Sequence, residues 1–221
     1  MKAAFWHERW ERDQLGFHQA DVNSLLVEHW PTLGLESDTE VFVPLCGKSL
    51  DMRWLRDAGH PVVGVELSPI ACRDFFVEAG TPPTQANTEP LDLLAGAGYR
   101  LFCGDLFDLQ ADDLKNVGAV FDRASLIALP PEMRRRYADH LSSILPLNVT
   151  TLLITLEYDQ SQMNGPPHSV PNTEVEALFG EHFSLDILAT AGFVEPPPPF
   201  RERGVEAWRE TVWRLGRGTA R

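Results

Sequence analysis

The chain has 221 residues, 43% of them hydrophobic, with 32 acidic against 19 basic side chains and a formal charge of −13. That length can bury a full core in one domain. The charge keeps a protein soluble and repels phosphate backbones, which argues against DNA or RNA as a partner. No apolar run reaches the 18 residues of a membrane span, so no membrane association is expected.

In chain order, residues 5–30 carry Phe5, Trp6 and Trp10, then Leu25, Leu26 and Trp30, at helical spacings. A break falls near Leu15-Gly16, and Asp21 is the expected N-cap of the second helix. The charged opening MKAAFWHERWERD lacks the apolar stretch of a secretory signal. Strand-like runs follow at Glu40–Leu45, Pro61–Glu66, Tyr99–Cys103, Ala119–Asp122 and Thr150–Tyr158. Helical patterns fall at Leu50–Ala58, Pro69–Ala79 and Pro131–Ile144. Such alternation predicts a parallel sheet with helices on both faces. A short helix at Thr173–Phe179 leads to Phe183–Thr190 and Val205–Leu215, which read as a hairpin. The prolines between them, Pro196–Pro199, serve as a stiff connector, so 1–221 reads as one domain, with 1–35 as an arm over the cleft. Cys46, Cys72 and Cys103 have no metal-type spacing and suit a reduced cytoplasm, and the seven histidines form no ligand pattern, so no metal is expected. A monomer is expected, since no interface stripe is visible.

The most informative stretch is VFVPLCGKSLDMRWLRDAGHPVVGVELS, residues 41–68. It reads as strand, tight turn at Cys46-Gly47, helix, and a second strand ending on Glu66. Ligands of open parallel sheets sit at the carboxyl ends of strands, and an acid about 20 residues beyond the first turn takes ribose hydroxyls. The alternative for Glu66 is a cap on the helix opened by Ser68-Pro69. LCGKS lacks the first glycine of a phosphate loop, because Phe42 stands there, and GxGxxG is absent. A nucleoside cofactor without phosphates follows, with Gly47 allowing close backbone approach or serving only the turn. Asp105 after the third strand can accept from an adenine amino group while Leu106 packs the ring; a surface turn is the alternative. Arg123, in Phe121-Asp122-Arg123 at the end of the fourth strand, asks for an anionic partner, either a ligand carboxylate or substrate, or else Asp122. Trp6, Trp10 and Phe17 read as core packing or as an aromatic arm that closes the cleft. No Gly-x-Ser-x-Gly elbow is present, which removes a common hydrolase reading.

These segments resemble the thiopurine S-methyltransferase family, particularly its bacterial members, from about Phe5 to Leu215. The resemblance is carried by GFHQ (16–19), VFVPLCGKSLDMRWL (41–55), GHPVVGVELS (59–68), FDR (121–123), Tyr158-Asp159 with Gly165–Pro167, and LFG (178–180). It implies a class I methyltransferase fold, an α/β sheet of seven mostly parallel strands with the last antiparallel, and S-adenosylmethionine as cofactor. Position by position it implies Trp10, Leu45, Gly47, Glu66 and Arg123 as cofactor contacts and Asp105-Leu106 as the adenine site. Phe17, Arg123 and Arg203 would line the substrate cleft, Arg123 facing both ligands as the catalytic residue. Between Phe200 and Trp208 the chain is shorter than the animal enzymes. The implied reaction is methylation of aromatic and heterocyclic thiols such as 6-mercaptopurine, and of selenium and tellurium compounds. Two other classes share the pattern: a nicotinamide oxidoreductase, which the absent GxGxxG and Tyr-x-x-x-Lys disfavour, and a non-catalytic ligand-binding relative.

Overall fold

The computed structural model describes residues 3–14 and 18–218, which fall into two compact units, 1–121 with 144–146, and 122–143 with 147–221.

In the first unit, α1 (Ala3–Glu11) and α2 (Ser24–His29) precede β1 (Glu40–Val43), and α3 (Leu50–Asp57), β2 (Val62–Glu66) and α4 (Pro69–Glu78) follow. A hairpin of β3 (Thr84–Asn87) and β4 (Asp92–Gly96) leads to β5 (Tyr99–Cys103), and β6 (Val117–Asp122) closes the unit. The strand order is β3-β4-β5-β2-β1-β6; β1 pairs parallel with β2 and β6, and β2 with β5. Every residue of β2 is buried, including Glu66, and β1 is buried from Val41 onward, the continuous burial of a parallel strand covered on both faces. Gly64 has no alternative in β2, because a Cβ there would lie 2.7 Å from both Cys46 Sγ and Leu101 Cδ2.

Local chemistry sets the helix starts. Ser49, not named as a cap from the sequence, accepts from Asp51 N; Ser68 accepts from Ala71 N with Pro69 at the first helical position, as expected. The N-cap of α2 is Asn23 and not Asp21: its Oδ1 accepts from Leu25 N and Leu26 N at 3.0 and 3.2 Å. The break at Leu15-Gly16 lies outside the described residues. Beyond it the arm is fastened into the core. Asn23 N donates to buried Asp51 Oδ1 at 2.8 Å, and Trp30 Nε1 to His60 Nε2 at 3.1 Å. His60 therefore carries its proton on Nδ1, facing Thr39 O at 3.0 Å.

The second unit holds α5 (Ser125–Ala128), α6 (Pro131–Ile144, to Ser143), β7 (Thr150–Tyr158), α7 (Asn172–Phe179), β8 (Ser184–Thr190), α8 (Pro198–Arg201) and β9 (Trp208–Gly216). Its strands run β7-β9-β8 with both pairings antiparallel, which is the hairpin and antiparallel last strand expected. The described residues form nine strands where seven were expected. The excess is β3 and β4, which pair antiparallel with each other and, through β4, with β5. Their sequence gave no sign of this: β3 is TQAN, exposed throughout, and β4 is DLLAG, too short and too mixed for a period of two to stand out.

Candidate active site

In the first unit the turn after β1 is drawn against the end of β2. Cys46 N donates to Val65 O at 3.0 Å, and Leu45 and Gly47 both take positive φ, 46° and 54°. Left-handed backbone suits glycine and strains leucine, and such strain collects where backbone is shaped for a ligand. Glu66 holds the turn from the other side. Its Oε2 accepts from Gly47 N at 2.9 Å and its Oε1 from Ser68 N at 2.8 Å. Both readings of this acid thus have a physical basis, since it secures the helix entry and still has lone pairs for two further donors. Burial pushes its carboxyl up from the ordinary range, and the N–H groups of Ser68, Gly47 and Leu67 pull it partly back.

Trp10, 5% exposed, brings its ring to 3.5 Å from where a Cβ on Gly47 would stand. An indole, a glycine turn, a strained leucine and a buried carboxylate therefore share one strand edge. Beside the turn, Lys48 Nζ and Arg53 Nη2 bind the two oxygens of Glu78 at 2.7 and 3.2 Å, tying α3 to α4.

The Cys103-Gly104-Asp105 turn continues this edge, because Gly104 N donates to Glu66 O at 2.9 Å. Asp105 is exposed and caps the short turn at 106–108 by accepting from Phe107 N at 3.0 Å. The Leu106 side chain is buried, at 3%, so the surface beside Asp105 is offered by half-buried Phe107. Sequence reasoning passed over Phe107, although an aromatic two residues after an edge acid is a usable signal.

In the second unit Arg123 stands half-buried at the turn between β6 and α5, and acts electrostatically on Glu210 of β9. Asp122 beside it accepts from Ser125 N at 3.2 Å and from Tyr137 OH at 2.6 Å, and burial holds its carboxyl above the ordinary range. Arg203 is exposed; its Nη2 donates to Asn164 O at 3.0 Å, which links the turn after α8 to the loop after β7. Phe17 lies outside the described residues.

The loop after β7 is braced by a guanidinium that no sequence signal marks. Arg134, 1% exposed, donates from Nε to Leu126 O and Leu129 O, and from Nη1 to Ser169 O and Glu174 Oε2 at 2.7 Å. Ser169 in turn bonds Tyr158 N and O, and Tyr158 OH donates to Pro167 O at 2.6 Å. In sequence Arg134 is one of three consecutive arginines, with nothing local to set it apart from the other two.

The first unit's edge fits an adenosine-type cofactor: a buried acid with spare acceptor capacity, close backbone at Gly47 and an aromatic wall. Among the described residues no group of three or more side chains could hold a metal ion, and no helix is long and apolar enough to cross a membrane.

Residues 1–218 match the family model of Thiopurine S-methyltransferase (TPMT). A thiopurine S-methyltransferase of Marinobacter nauticus is 47% identical over 93% of this chain and 94% of its own. One of Nitrosospira multiformis is 46% identical over the whole of both chains. A probable thiopurine S-methyltransferase of the yeast Yarrowia lipolytica is 48% identical over 97% and 100%. Among solved structures, a 1,6-didemethyltoxoflavin-N1-methyltransferase of Burkholderia thailandensis aligns with a TM-score of 0.66 at 14% identity, over 98% of this chain and 87% of that one. A SAM-dependent methyltransferase of Anabaena variabilis reaches 0.64 at 16%, over 97% and 94%. At such identities these two establish the fold alone, the class I methyltransferase architecture. Relatives near half identity along full length carry the assignment further: the chain belongs to the thiopurine S-methyltransferase family.

Proposed function

We propose that this enzyme uses S-adenosyl-L-methionine to methylate the sulfur of aromatic and heterocyclic thiols, 6-mercaptopurine among them, and the selenium or tellurium of related compounds. When bound, the cofactor supplies a methyl carbon made electrophilic by its sulfonium. Glu66 takes the ribose hydroxyls, the backbone at Leu45 and Gly47 receives the amino-acid end, and Trp10 walls off water. Asp105 accepts from the adenine amino group, with Leu106 and Phe107 bordering the ring. Arg123 contacts the cofactor and, with Arg203 and Phe17, receives the substrate, Arg123 being the catalytic residue. Residues 1–35 serve as the arm within one functional domain, and the protein works as a cytoplasmic monomer on small molecules, without nucleic acid.

The observation that carries the reading is Glu66: a carboxylate held buried by two backbone N–H groups, at the spacing a ribose requires. Displacement at the methyl carbon needs nucleophile, carbon and leaving sulfur in line, with water excluded. Aromatic thiols ionise near neutral pH, so a thiolate arrives ready to react and a cationic guanidinium serves better than a dedicated base. In the test, S-adenosylhomocysteine is titrated calorimetrically, and turnover of 6-mercaptopurine, thiophenol and selenite is followed by mass spectrometry of methylated products. Arg123→Ala should lower kcat/KM for a thiolate by more than roughly tenfold, over 1 kcal/mol, with the cofactor still bound. Absence of heat with well-folded protein, or a loss within twofold, would refute the corresponding assignment.

A further inference from the structure

Two thiols meet at the main chain of Glu66, and the methyl transfer uses neither. Cys72, buried in the first turn of α4, donates from Sγ to Glu66 O at 3.8 Å. Cys103 ends β5 and stands beside Glu66 in the parallel β2–β5 register, one strand spacing away. The next residue, Gly104, donates its N–H to the same Glu66 O at 2.9 Å. Alternation along β5 puts Cys103 on the face of Tyr99, whose ring packs against Phe75 and Phe76 of α4 at 4.9 and 6.3 Å between centroids. Cys103 therefore faces α4, where Cys72 precedes those phenylalanines by one turn. A hydrogen bond with the Cys72 thiol pulls the Cys103 thiol below its ordinary range, against burial and the charges of Asp92 and Glu66. Cys46 and Cys72 are buried, whereas Cys103 is half-buried and lines a cavity of about 520 Å³ with Pro69, Arg73, Phe76 and Leu94. An accessible thiol of thiolate character with a second thiol behind it is the arrangement of an attacking and a resolving cysteine.

We propose that Cys103 and Cys72 form an oxidisable dithiol, which a hydroperoxide converts to a disulfide that loosens the hold of this edge on its cofactor. The effect on the cofactor rests on the assignment of Glu66 made above; the thiol chemistry does not. The Cys103 thiolate attacks one peroxide oxygen, the O–O bond breaks, and hydroxide leaves to give a sulfenic acid. The Cys72 sulfur, giving up its proton, then attacks that sulfenic sulfur; the S–S bond forms, the S–O bond breaks, and water departs. With hydrogen peroxide, two thiols become one disulfide and the peroxide becomes two waters, so the sulfurs lose the two electrons that oxygen gains. The bond acts on the cofactor edge from both sides. Cys72 N donates to Ser68 O at 3.1 Å and Ser68 N to Glu66 Oε1 at 2.8 Å, so drawing Cys72 onto β5 shifts a partner of the acid. Cys103 precedes Asp105, the residue assigned to adenine, by two positions. Oxidation also removes the S–H that Glu66 O accepts.

The experiment treats wild type, C72S and C103S with hydrogen peroxide, blocks the remaining thiols, and maps disulfides by peptide mass spectrometry. Calorimetric titration of S-adenosylhomocysteine before and after treatment reads the consequence. Oxidised wild type should show a Cys72–Cys103 disulfide with Cys46 still free, and should bind S-adenosylhomocysteine about tenfold more weakly. Dithiothreitol should restore both, which separates the effect from methionine oxidation. C72S should trap the Cys103 sulfenic acid as its dimedone adduct, and C103S should keep its affinity under the same treatment. Intact thiols in peroxide-treated wild type, or a disulfide that uses Cys46, overturns the dithiol without touching the methyltransferase reading. A Cys72–Cys103 disulfide that leaves affinity within about twofold overturns the switch. The wild-type map and titration decide these points even if a serine variant fails to fold by circular dichroism. Reduced, well-folded wild type that gives no heat with S-adenosylhomocysteine sinks the cofactor reading, and the switch with it.

Discussion

The edge around Glu66 and the region around Arg134 solve the same problem, holding a loop still, by different means. The first uses backbone: two main-chain N–H groups meet one carboxylate within residues 47–68, and φ values at Leu45 and Gly47 shape the turn. The second uses side chains at long range: one guanidinium gathers carbonyls of residues 126, 129 and 169 and the acid of residue 174.

The sharpest way to break the contrast is Arg134→Met. It strips several buried acceptors at once and leaves Glu174 without its cation, so it should cost about 3–5 kcal/mol, read as a shift in the denaturant midpoint. A loss below about 1 kcal/mol would mean that solvent replaces the guanidinium easily. Next comes Glu66→Ala, which orphans the N–H groups of Gly47 and Ser68. About 1–3 kcal/mol of stability should go together with cofactor affinity, whereas a purely ligand-facing acid would cost affinity alone. The smallest effect belongs to Gly47→Ala, where a Cβ must accept φ of 54° beside the Trp10 ring. About 1–2 kcal/mol is expected from the backbone, with weaker calorimetric binding of S-adenosylhomocysteine and no change in the second unit's hydrogen-exchange protection.

Much of the first unit is legible because its determinants are local. Val41–Leu45 and Val62–Glu66 announce their strands by uninterrupted apolar runs, the second helix by Ser68-Pro69, and the turn at the strand edge by a glycine and an acid at fixed spacing. The expected bounds of β5, β7 and α6 match those found. Short-range competition defeats the reading elsewhere. Asn23 outbids Asp21 as a cap because only Asn23 stands immediately before the first helical turn. The exposed hairpin of β3 and β4 has no apolar alternation to betray it.

From the residues alone came the alternation of strands and helices and the turn glycine and strand-end acid, Gly47 and Glu66, that meet in the structure, because period, caps and turns act over a few positions. Tertiary structure decided which charges are buried and whom they serve: Arg134 as a hub, Asp122 bound to Tyr137. Those pairings reach as far as 40 positions along the chain, and the desolvation that gives them their force exists only once distant segments have packed.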